Sequence, residues 1–313
     1  MTQQMTLSPR TWSALLLLAL IWGASFLSIR IALDEIGPLT AVAHRTLWAM
    51  LVLWGVVWAM RLPIPRDPRI WGAFFGMGLF NNAIPFGLMA WGQLHVETGL
   101  TSILNAATAV FGVIAAAVFF TDERLSLRKL IGVGLGFFGV ATAIGLENLR
   151  EFDLRALAQL AILAGTVSYA LAGVWGRKTL AGLPAQMAAA GMLTGSTAIT
   201  LPLALIVEGP MRFDLAPGTV LAIAYYSVIA TAGAYLLYYY VLARAGSGNL
   251  LLVTLLIAPV AILLGALVRD EALNPNAYLG FAILALGLLV LDRRLWRRTR
   301  KHPAAIDPIR KRP

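Results

Sequence analysis

Ten apolar runs, separated by charged or Pro/Gly-rich breaks, constrain the fold of this chain more than any other feature. Each run is close to the roughly 20 residues that a helix needs to cross the hydrocarbon core of a bilayer. Backbone groups in lipid must be hydrogen-bonded within their own segment, so runs of this length predict helices. With 59% hydrophobic and 13% charged residues among 313, the sequence predicts an all-α integral membrane protein. The predicted spans 1 to 10 cover residues 11–33, 38–60, 69–92, 98–120, 128–146, 155–176, 183–207, 217–243, 248–268 and 275–293.

The basic residues predict the orientation of the spans. We call the membrane side that carries the N-terminus side A and the opposite one side B. Side A then receives 19 of the 25 Lys and Arg residues and side B receives five, while Arg45 lies inside span 2. Because basic residues concentrate in cytoplasmic loops, both termini are predicted to be cytoplasmic. The net charge of +10 is explained by this orientation, and we expect no nucleic-acid partner.

An internal repeat divides the chain into two halves. Setting each residue over the one 148 positions later aligns a D-E-x-L junction and two glycines that follow it. The aligned residues are Asp122, Glu123, Leu125, Gly132 and Gly139 with Asp270, Glu271, Leu273, Gly280 and Gly287. Five spans per half is an odd number, so the second half enters the membrane in the opposite sense. Such inverted repeats are typical of secondary transporters, whose site lies near the bilayer midplane between the halves.

Together, the ten spans, the two five-helix repeats, the stretch Trp22-Gly23-Ala24-Ser25-Phe26 and the two D-E-x-L junctions resemble the drug/metabolite transporter superfamily, EamA type. Within it the chain is most similar to bacterial aromatic amino acid exporters. The resemblance implies a first repeat over residues 1–147, a second, inverted repeat over 148–294 and a basic cytoplasmic tail over 295–313. It also implies a monomeric carrier of the bacterial inner membrane, with a central cavity lined by spans 1, 3, 4, 6, 8 and 9.

The function that this resemblance implies is export of neutral amino acids, aromatic and large aliphatic, by alternating access. The bilayer and a small-molecule substrate are the partners expected. The alternative is export of another neutral metabolite or a hydrophobic drug, by proton antiport. An enzyme is not expected, because the sequence lacks a His-Glu-x-x-His or Gly-x-Ser-x-Gly motif and its three histidines are scattered. No cofactor and no metal are expected either, and with no cysteine the chain can form no disulfide.

Acidic residues bear on the coupling mechanism. All 15 carboxylates fall in loops or at span ends. Exporters that exchange protons for cationic drugs usually need an acid embedded in the membrane. The sequence therefore favours facilitated movement over tight coupling to protons.

Ionisable side chains well inside a span are confined to His44 and Arg45 of span 2. An intramembrane Arg is a candidate functional residue, because its cation could meet a substrate carboxylate. The alternative is an Arg that snorkels to the interface. His44 is a candidate proton carrier, although the sequence identifies no partner for it.

Polar residues in spans 3 and 4 are candidates for substrate binding. Thr101, Asn105 and Thr108 recur at helical spacing, and such a stripe either packs helices together or lines a cavity. Asn105 is the foremost candidate for a hydrogen bond to the ammonium or carboxylate of an amino acid. Span 3 adds two further amides, Asn81 and Asn82.

Two prolines interrupt spans in opposite halves, Pro85 in span 3 and Pro259 in span 9. Each removes a backbone donor and so frees a carbonyl about one turn back. Interrupted spans in both halves indicate a carrier's site or hinge, and the alternative is a simple bend.

Aromatic and hydroxyl side chains complete the candidate site. Rings on a cavity wall would suit bulky neutral amino acids, while interfacial belts compete for the tyrosines near span ends. These candidates are Trp22, Ser25, Met89, Tyr169, Trp175, Thr231, Tyr235 and Tyr238.

Overall fold

A computed structural model describes residues 9–121, 126–145 and 153–291, without the side chains of 242–243 and 245–252. The described part is helical, with no strand. Eight of its helices are long and apolar enough to cross a membrane, and two shorter apolar helices follow them. Spans 1 to 10 run over Pro9–Ala32, Pro38–Ala59, Pro68–Gly92, Thr98–Phe119, Leu127–Ile144, Leu154–Thr179, Ala185–Val207, Pro217–Val241, Val253–Arg269 and Pro275–Leu291.

Local sequence signals fix where several spans begin. Spans 2, 3, 8 and 10 open on a proline, whose missing N–H costs nothing in the first turn. The Asp67 carboxylate accepts a hydrogen bond from the Arg69 N–H at 2.8 Å, and Asp153 accepts one from the Ala156 N–H at 2.7 Å. These caps satisfy backbone donors that the first turn leaves free.

Spans 8 and 9 differ from the prediction at their junction. The backbone is helical without a break over Ala234–Arg269, where the sequence predicts a loop before residue 248. Yet the Trp22 and Tyr238 ring centroids lie 5.9 Å apart, and the Cβ of Val260 would lie 2.6 Å from a Cβ on Gly23. A straight helix would separate residues 238 and 260 by about 33 Å. The helix over Ala234–Arg269 is therefore not straight, and its two ends, which belong to spans 8 and 9, pack as separate arms against the same stretch of span 1.

Two spans contain π-helical segments that no sequence pattern predicted. Leu79–Ala83 is π-helical in span 3 and Tyr225–Gly233 is π-helical in span 8. Residues 79–83 correspond to 227–231 at the repeat offset of 148, so the two segments occupy equivalent positions in the two halves. Each π turn widens the hydrogen-bond ladder and is frequent at functional sites.

Span 4 is also interrupted, within the predicted stripe of Thr101, Asn105 and Thr108, where the sequence predicts one continuous helix. It consists of Thr98–Asn105 and Thr108–Phe119, joined by a turn. The Ala107 N–H bonds to the Leu104 carbonyl, three residues back, at 3.0 Å. This local tightening shifts Thr108 relative to the first part of the span.

Spans 5 and 10 pack against each other through glycines. A Cβ on Gly139 would lie 2.7 Å from the Gly280 carbonyl oxygen, and one on Gly287 would lie 2.8 Å from the Gly132 carbonyl oxygen. The two helices are antiparallel, because residue 132 meets 287 while 139 meets 280. Small residues allow this close backbone approach in a membrane. The D-E-x-L residues at 122–125 and the tail lie outside the described residues.

Candidate functional site

The site is built around Arg45, which projects from span 2 into the bundle between spans 3 and 8. Its guanidinium carbon lies 3.8 Å from the centroid of the Phe86 ring. Its Nε donates a hydrogen bond to the Thr231 hydroxyl at 2.8 Å. The side chain is thus anchored inside the protein, and the snorkelling alternative does not describe its contacts.

The π segment of span 8 prepares Thr231 to accept that hydrogen bond. The Thr231 hydroxyl donates its own proton to the Tyr226 carbonyl, five residues back, at 2.7 Å. The oxygen of Thr231 is therefore left as an acceptor toward Arg45. Tyr226 is fully buried, and its hydroxyl bonds to the Ala41 carbonyl of span 2 at 3.2 Å.

Asn81, Asn82 and Tyr235 form a second polar group beside Arg45. The Tyr235 hydroxyl donates to Asn82 Oδ1 at 2.9 Å and accepts from Asn81 Nδ2 at 3.3 Å. Asn81 Nδ2 also approaches the Met192 sulfur at 3.4 Å. Asn82 is fully buried, and its Nδ2 has no partner among the described residues. A buried amide donor without an acceptor is costly unless a ligand or water completes it.

Pro85 affects the backbone of the preceding π turn. Because Pro85 has no N–H, the carbonyl of Phe80 in the preceding π turn is open to another donor. The Ser168 hydroxyl of span 6 supplies that donor at 2.7 Å. Span 6 comes close here, since a Cβ on Gly165 would lie 3.4 Å from the Pro85 Cα.

The electrostatic balance of this site is positive. Arg45 has no ion-pair partner among the described residues, and its terminal nitrogens have no hydrogen-bond acceptor there. The described carboxylates all lie in loops or at span ends. Besides Thr231, the side chains of Tyr169, Tyr226 and Tyr235 interact electrostatically with this cation. We call Arg45, Asn81, Asn82, Phe86, Tyr169, Thr231 and Tyr235 the Arg45 cluster.

Three other predicted residues, Trp22, Ser25 and Tyr238, line the span 1 side of the same region. The Trp22 indole donates to the Ala230 carbonyl at 3.1 Å, one residue before Thr231. Its ring contacts Tyr238 at 5.9 Å between centroids. The Ser25 hydroxyl is bonded to the Trp22 carbonyl at 2.7 Å, so it is occupied within its own helix.

Span 4 contributes polar side chains that lack protein partners. Thr101 is fully buried, and the hydroxyl oxygens of Thr101 and Thr108 are buried without a hydrogen bond to any described residue. Asn105 is partly exposed at the break in the span. Among the described residues, Tyr169 of the Arg45 cluster packs against the core that includes Leu100, Ile103 and Leu104 of this same span.

Four further predicted residues are placed by other contacts. Met89 is buried in a core that spans 4, 5, 6, 9 and 10 share, and Tyr169 packs against that core. The Trp175 indole bonds to the Ala73 carbonyl at 3.0 Å, which fixes it against the side A half of span 3. Pro259 faces outward from span 9, and His44 faces a lateral groove between spans 2 and 8.

Sequence reasoning missed Phe86, Tyr226, Met192 and Ser168. Phe86 and Tyr226 were visible as aromatic residues, but only the packing of three spans shows that both surround Arg45. Met192 lies in span 7 and Ser168 in span 6, and the sequence analysis selected neither as a candidate. No sequence signal that we can identify would have selected them.

Side B is tied together by contacts between the two halves. Arg269, at the end of span 9, donates two hydrogen bonds to the carboxylate of Asp34, after span 1. Arg155 donates to Glu97 at 2.8 Å, and the Thr98 hydroxyl donates to Glu271 at 2.8 Å.

A further contact between the two halves involves the N-terminus of span 2. The Glu208 carboxylate, after span 7, accepts hydrogen bonds from the Leu39 and Thr40 N–H groups at 2.9 and 2.8 Å. A carboxylate at a helix N-terminus is favourable because it meets free N–H groups and the positive end of the dipole. At least four contacts on side B thus join the first half of the chain to the second.

Comparison with known proteins places this architecture in a family. The model of the EamA-like transporter family matches residues 11–145 and, again, residues 156–291. A solved structure shares the fold, with a TM-score of 0.65 at 18% identity over 91% of this chain and 99% of its own.

Curated relatives cover nearly the whole chain at low identity. A probable terminal-alkyne amino-acid exporter of Streptantibioticus cattleyicolor is 27% identical over 302 residues, 95% of this chain and 98% of the relative. A probable amino-acid metabolite efflux pump of Escherichia coli is 24% identical over 287 residues, 88% and 92% of the two chains. The inner membrane transporter YedA of Escherichia coli is 24% identical over 284 residues, 90% of each chain. With two matches to the family model and apolar spans throughout, this chain is a multi-pass protein of the bacterial inner membrane and belongs to the EamA-like transporter family.

Proposed function

We propose that this transporter exports neutral amino acids, aromatic and large aliphatic, by alternating access. The observation that carries the proposal is Arg45, a cation inside the bundle with no carboxylate partner among the described residues. Two of the curated relatives are named as amino-acid exporters or efflux pumps, which supports the substrate class.

The carboxylate of the substrate binds to Arg45. The Nε of Arg45 already donates a hydrogen bond to Thr231. The two terminal nitrogens of the guanidinium are therefore left to form a bidentate pair with a carboxylate. The unpartnered Nδ2 of Asn82 adds a neutral donor nearby. A site with surplus donors and no acid in the described spans favours a ligand that brings its own anionic group.

Rings receive the side chain of the substrate. Phe86 and Tyr169 stand edge to face, with centroids 6.4 Å apart, and Trp22 with Tyr238 lines the span 1 side. Aromatic surfaces of this kind bind bulky apolar groups and also attract an ammonium through their faces. Asn105, Thr101 and Thr108 form a second polar wall on span 4, which the substrate meets in another conformation.

Alternating access is supported by the duplication of contacts. In the predicted repeat, spans 1 to 5 correspond to spans 6 to 10. Span 1 packs against span 9, and the corresponding spans 6 and 4 also pack together. Span 2 packs against span 8, and the corresponding spans 7 and 3 also pack together. Spans 5 and 10 pair with each other through equivalent glycines. An inverted repeat of this kind has two states of similar energy that open to opposite sides.

The closed face is then periplasmic. The excess of basic residues on side A makes that side cytoplasmic, with both termini inside, and the contacts of Asp34, Glu97 and Glu208 seal side B. Movement is facilitated, because the described spans hold no acid to carry a proton.

Flux from purified proteoliposomes tests the proposal. Labelled phenylalanine, phenethylamine without the carboxylate and 3-phenylpropionate without the ammonium are compared, with and without an imposed pH gradient. We expect efflux of phenylalanine that exceeds both analogues and that ignores the pH gradient.

Variants at Arg45 test the role of the cation. Arg45→Gln is expected to lose phenylalanine transport and its preference over phenethylamine. Arg45→Lys, which keeps the charge but loses the bidentate fork, is expected to retain a small part of the flux. Arg66→Gln, the same change at an exposed loop residue, is the control. Phenylalanine flux in Arg45→Gln equal to that of the control would overturn the assignment.

A further inference from the structure

A lateral groove between spans 2 and 8 has a volume of about 590 Å³ and opens toward lipid. Its walls are apolar and include Trp48, Leu51, Phe213 and Val228. All four are exposed by at least 37%, and Phe213 is 71% exposed. The groove is therefore part of the lipid-facing surface and is separate from the Arg45 cluster inside the bundle.

His44 supplies the one polar feature of the groove that lacks a partner. Its side chain is only 2% exposed, and its Nδ1 accepts a hydrogen bond from the Trp48 indole at 3.1 Å. Since Nδ1 must keep its lone pair for that bond, the proton of the neutral imidazole is on Nε2. Nε2 is buried with no acceptor among the described residues.

The imidazole ring is held in place on both sides. The Trp48 ring lies nearly parallel to it at 6.5 Å, and the Phe213 ring stands edge to face at 6.1 Å. An aromatic ring is at best a weak acceptor for an N–H. Movement of the exposed Phe213 ring gives an outside acceptor access to Nε2.

The depth of His44 selects the kind of acceptor. His44 lies six residues into span 2, which is about 9 Å from the start of the helix. The headgroup layer of a bilayer is about 6 Å thick on each side of the hydrocarbon core. His44 therefore lies near the boundary at which the glycerol esters of phospholipids meet their acyl chains.

We propose that the groove binds one acyl chain of a membrane phospholipid, whose ester carbonyl accepts a hydrogen bond from His44 Nε2. The apolar walls match the chain, and the single buried donor matches the carbonyl. The headgroup does not contribute to selection, because Arg212 at this end of the groove is already paired with Asp214 at 3.3 Å. The bound lipid stabilises the contact between spans 2 and 8, which carry Arg45 and Thr231.

Photo-crosslinking in nanodiscs tests the proposal. A phosphatidylcholine with a diazirine in its acyl chain is incorporated, and the adducts are mapped by peptide mass spectrometry. We expect adducts enriched on groove residues over the rest of the lipid-facing surface. Excess unlabelled diester phosphatidylcholine is expected to compete two- to tenfold better than its diether analogue, which lacks the carbonyl, as for one neutral hydrogen bond.

Two sets of variants test separately whether lipid binding depends on the shape of the groove and on the hydrogen bond from His44. Ala224→Trp fills the groove and is expected to abolish the enrichment, whereas Val118→Trp, on an exposed part of span 4, is expected to leave it unchanged. His44→Phe is expected to remove the difference between ester and ether lipids, and His44→Gln, which keeps an N–H donor, is expected to retain it.

Three outcomes would overturn the proposal. Adducts spread evenly over the lipid-facing surface would show that the groove holds no lipid preferentially. Equal competition by diester and diether lipids on the wild-type protein would remove the role of His44. Competition by free phenylalanine would make the groove a substrate route instead of a lipid site.

Discussion

The Arg45 guanidinium lies over the Phe86 ring, with its central carbon 3.8 Å from the ring centroid, although the two residues belong to different spans. A cation over an aromatic face is stabilised by about 0.5 to 2 kcal/mol, with the larger value where water is excluded. The ring supports the charge from one side and leaves the in-plane N–H groups free. This is the arrangement that a carboxylate requires.

Replacing Phe86 with Leu removes the ring face while keeping an apolar side chain of similar size. We expect the KM for phenylalanine export to rise roughly two- to thirtyfold, as for the loss of one cation–π contact. Phe75→Leu, at a ring that is 42% exposed to lipid, is the matched control and is expected to leave KM unchanged. The measurement is initial efflux from proteoliposomes over a range of internal phenylalanine concentrations. A KM for Phe86→Leu equal to that of Phe75→Leu would remove Phe86 from the site.

Close packing of spans 5 and 10 makes Gly139 intolerant of any side chain. A Cβ there would lie 2.7 Å from the Gly280 carbonyl oxygen and would also meet the Leu284 N–H, and both obstacles are backbone. We expect Gly139→Ala to destabilise the protein by about 1 to 3 kcal/mol through overpacking. The control is Gly134→Ala on the same helix, where a Cβ meets nothing within 4 Å.

Thermal unfolding in detergent, followed by tryptophan fluorescence, compares the two glycine variants. Gly134→Ala is expected to match or slightly exceed the wild type, because alanine favours the helix over glycine. Equal melting temperatures for both variants would contradict the prediction, because they would mean that spans 5 and 10 make room for a side chain at residue 139 without loss of stability.

Much of the fold was predictable, because span length and charge are set by the bilayer. The predicted span limits fall within a few residues of the observed ones, apart from the junction of spans 8 and 9, where the helix Ala234–Arg269 shows no loop. The π segments were not predictable, since neither Leu79–Ala83 nor Tyr225–Gly233 carries a sequence pattern that distinguishes a π-helix from an α-helix. Their register depends on packing between spans, for example on the hydroxyl of Ser168 that satisfies the Phe80 carbonyl.

The candidate site was predicted only in part. Arg45, Asn82 and Tyr235 stood out as polar groups in apolar runs, and they do meet in the structure. The break in span 4 at residues 106–107 was not predicted, because Thr101, Asn105 and Thr108 have the spacing of a continuous α-helix. The spacing of residues along one helix predicts which of them share a face. It does not predict which face of a neighbouring helix packs against them.

The pH dependence of the side B contacts follows from Asp34. Partial burial raises the pKa of its carboxyl, but the hydrogen bonds and charges of Arg269 and Arg30 outweigh burial and hold the pKa below its usual value of 3.8. A lowered pKa means that the ion pair is fully formed above that value and is lost only as the pH falls through the lowered pKa. We expect closure of side B to be constant between pH 5 and 8.

Spin labels on side B, placed in the two halves, measure this closure as a distance distribution. We expect Asp34→Asn to populate longer distances to the same extent at every pH from 5 to 8. The control is Asp214→Asn, which breaks an exposed pair within one half. A transition of the wild-type distances near neutral pH would show that another group controls the closure.

Crosslinking Asp34 to Arg269 tests whether transport requires side B to open. The natural chain has no cysteine, so Asp34→Cys with Arg269→Cys creates the only reactive pair. A short bis-methanethiosulfonate linker spans the gap that the ion pair now bridges. Because the two residues belong to opposite halves, the linker is expected to hold side B closed and to reduce phenylalanine efflux to the level of empty liposomes, with recovery after reduction. Each single-cysteine variant treated with the same reagent is the control and is expected to keep its flux. If the linked protein transported as fast as the single variants, substrate would not leave through side B, and alternating access between these two halves would be wrong.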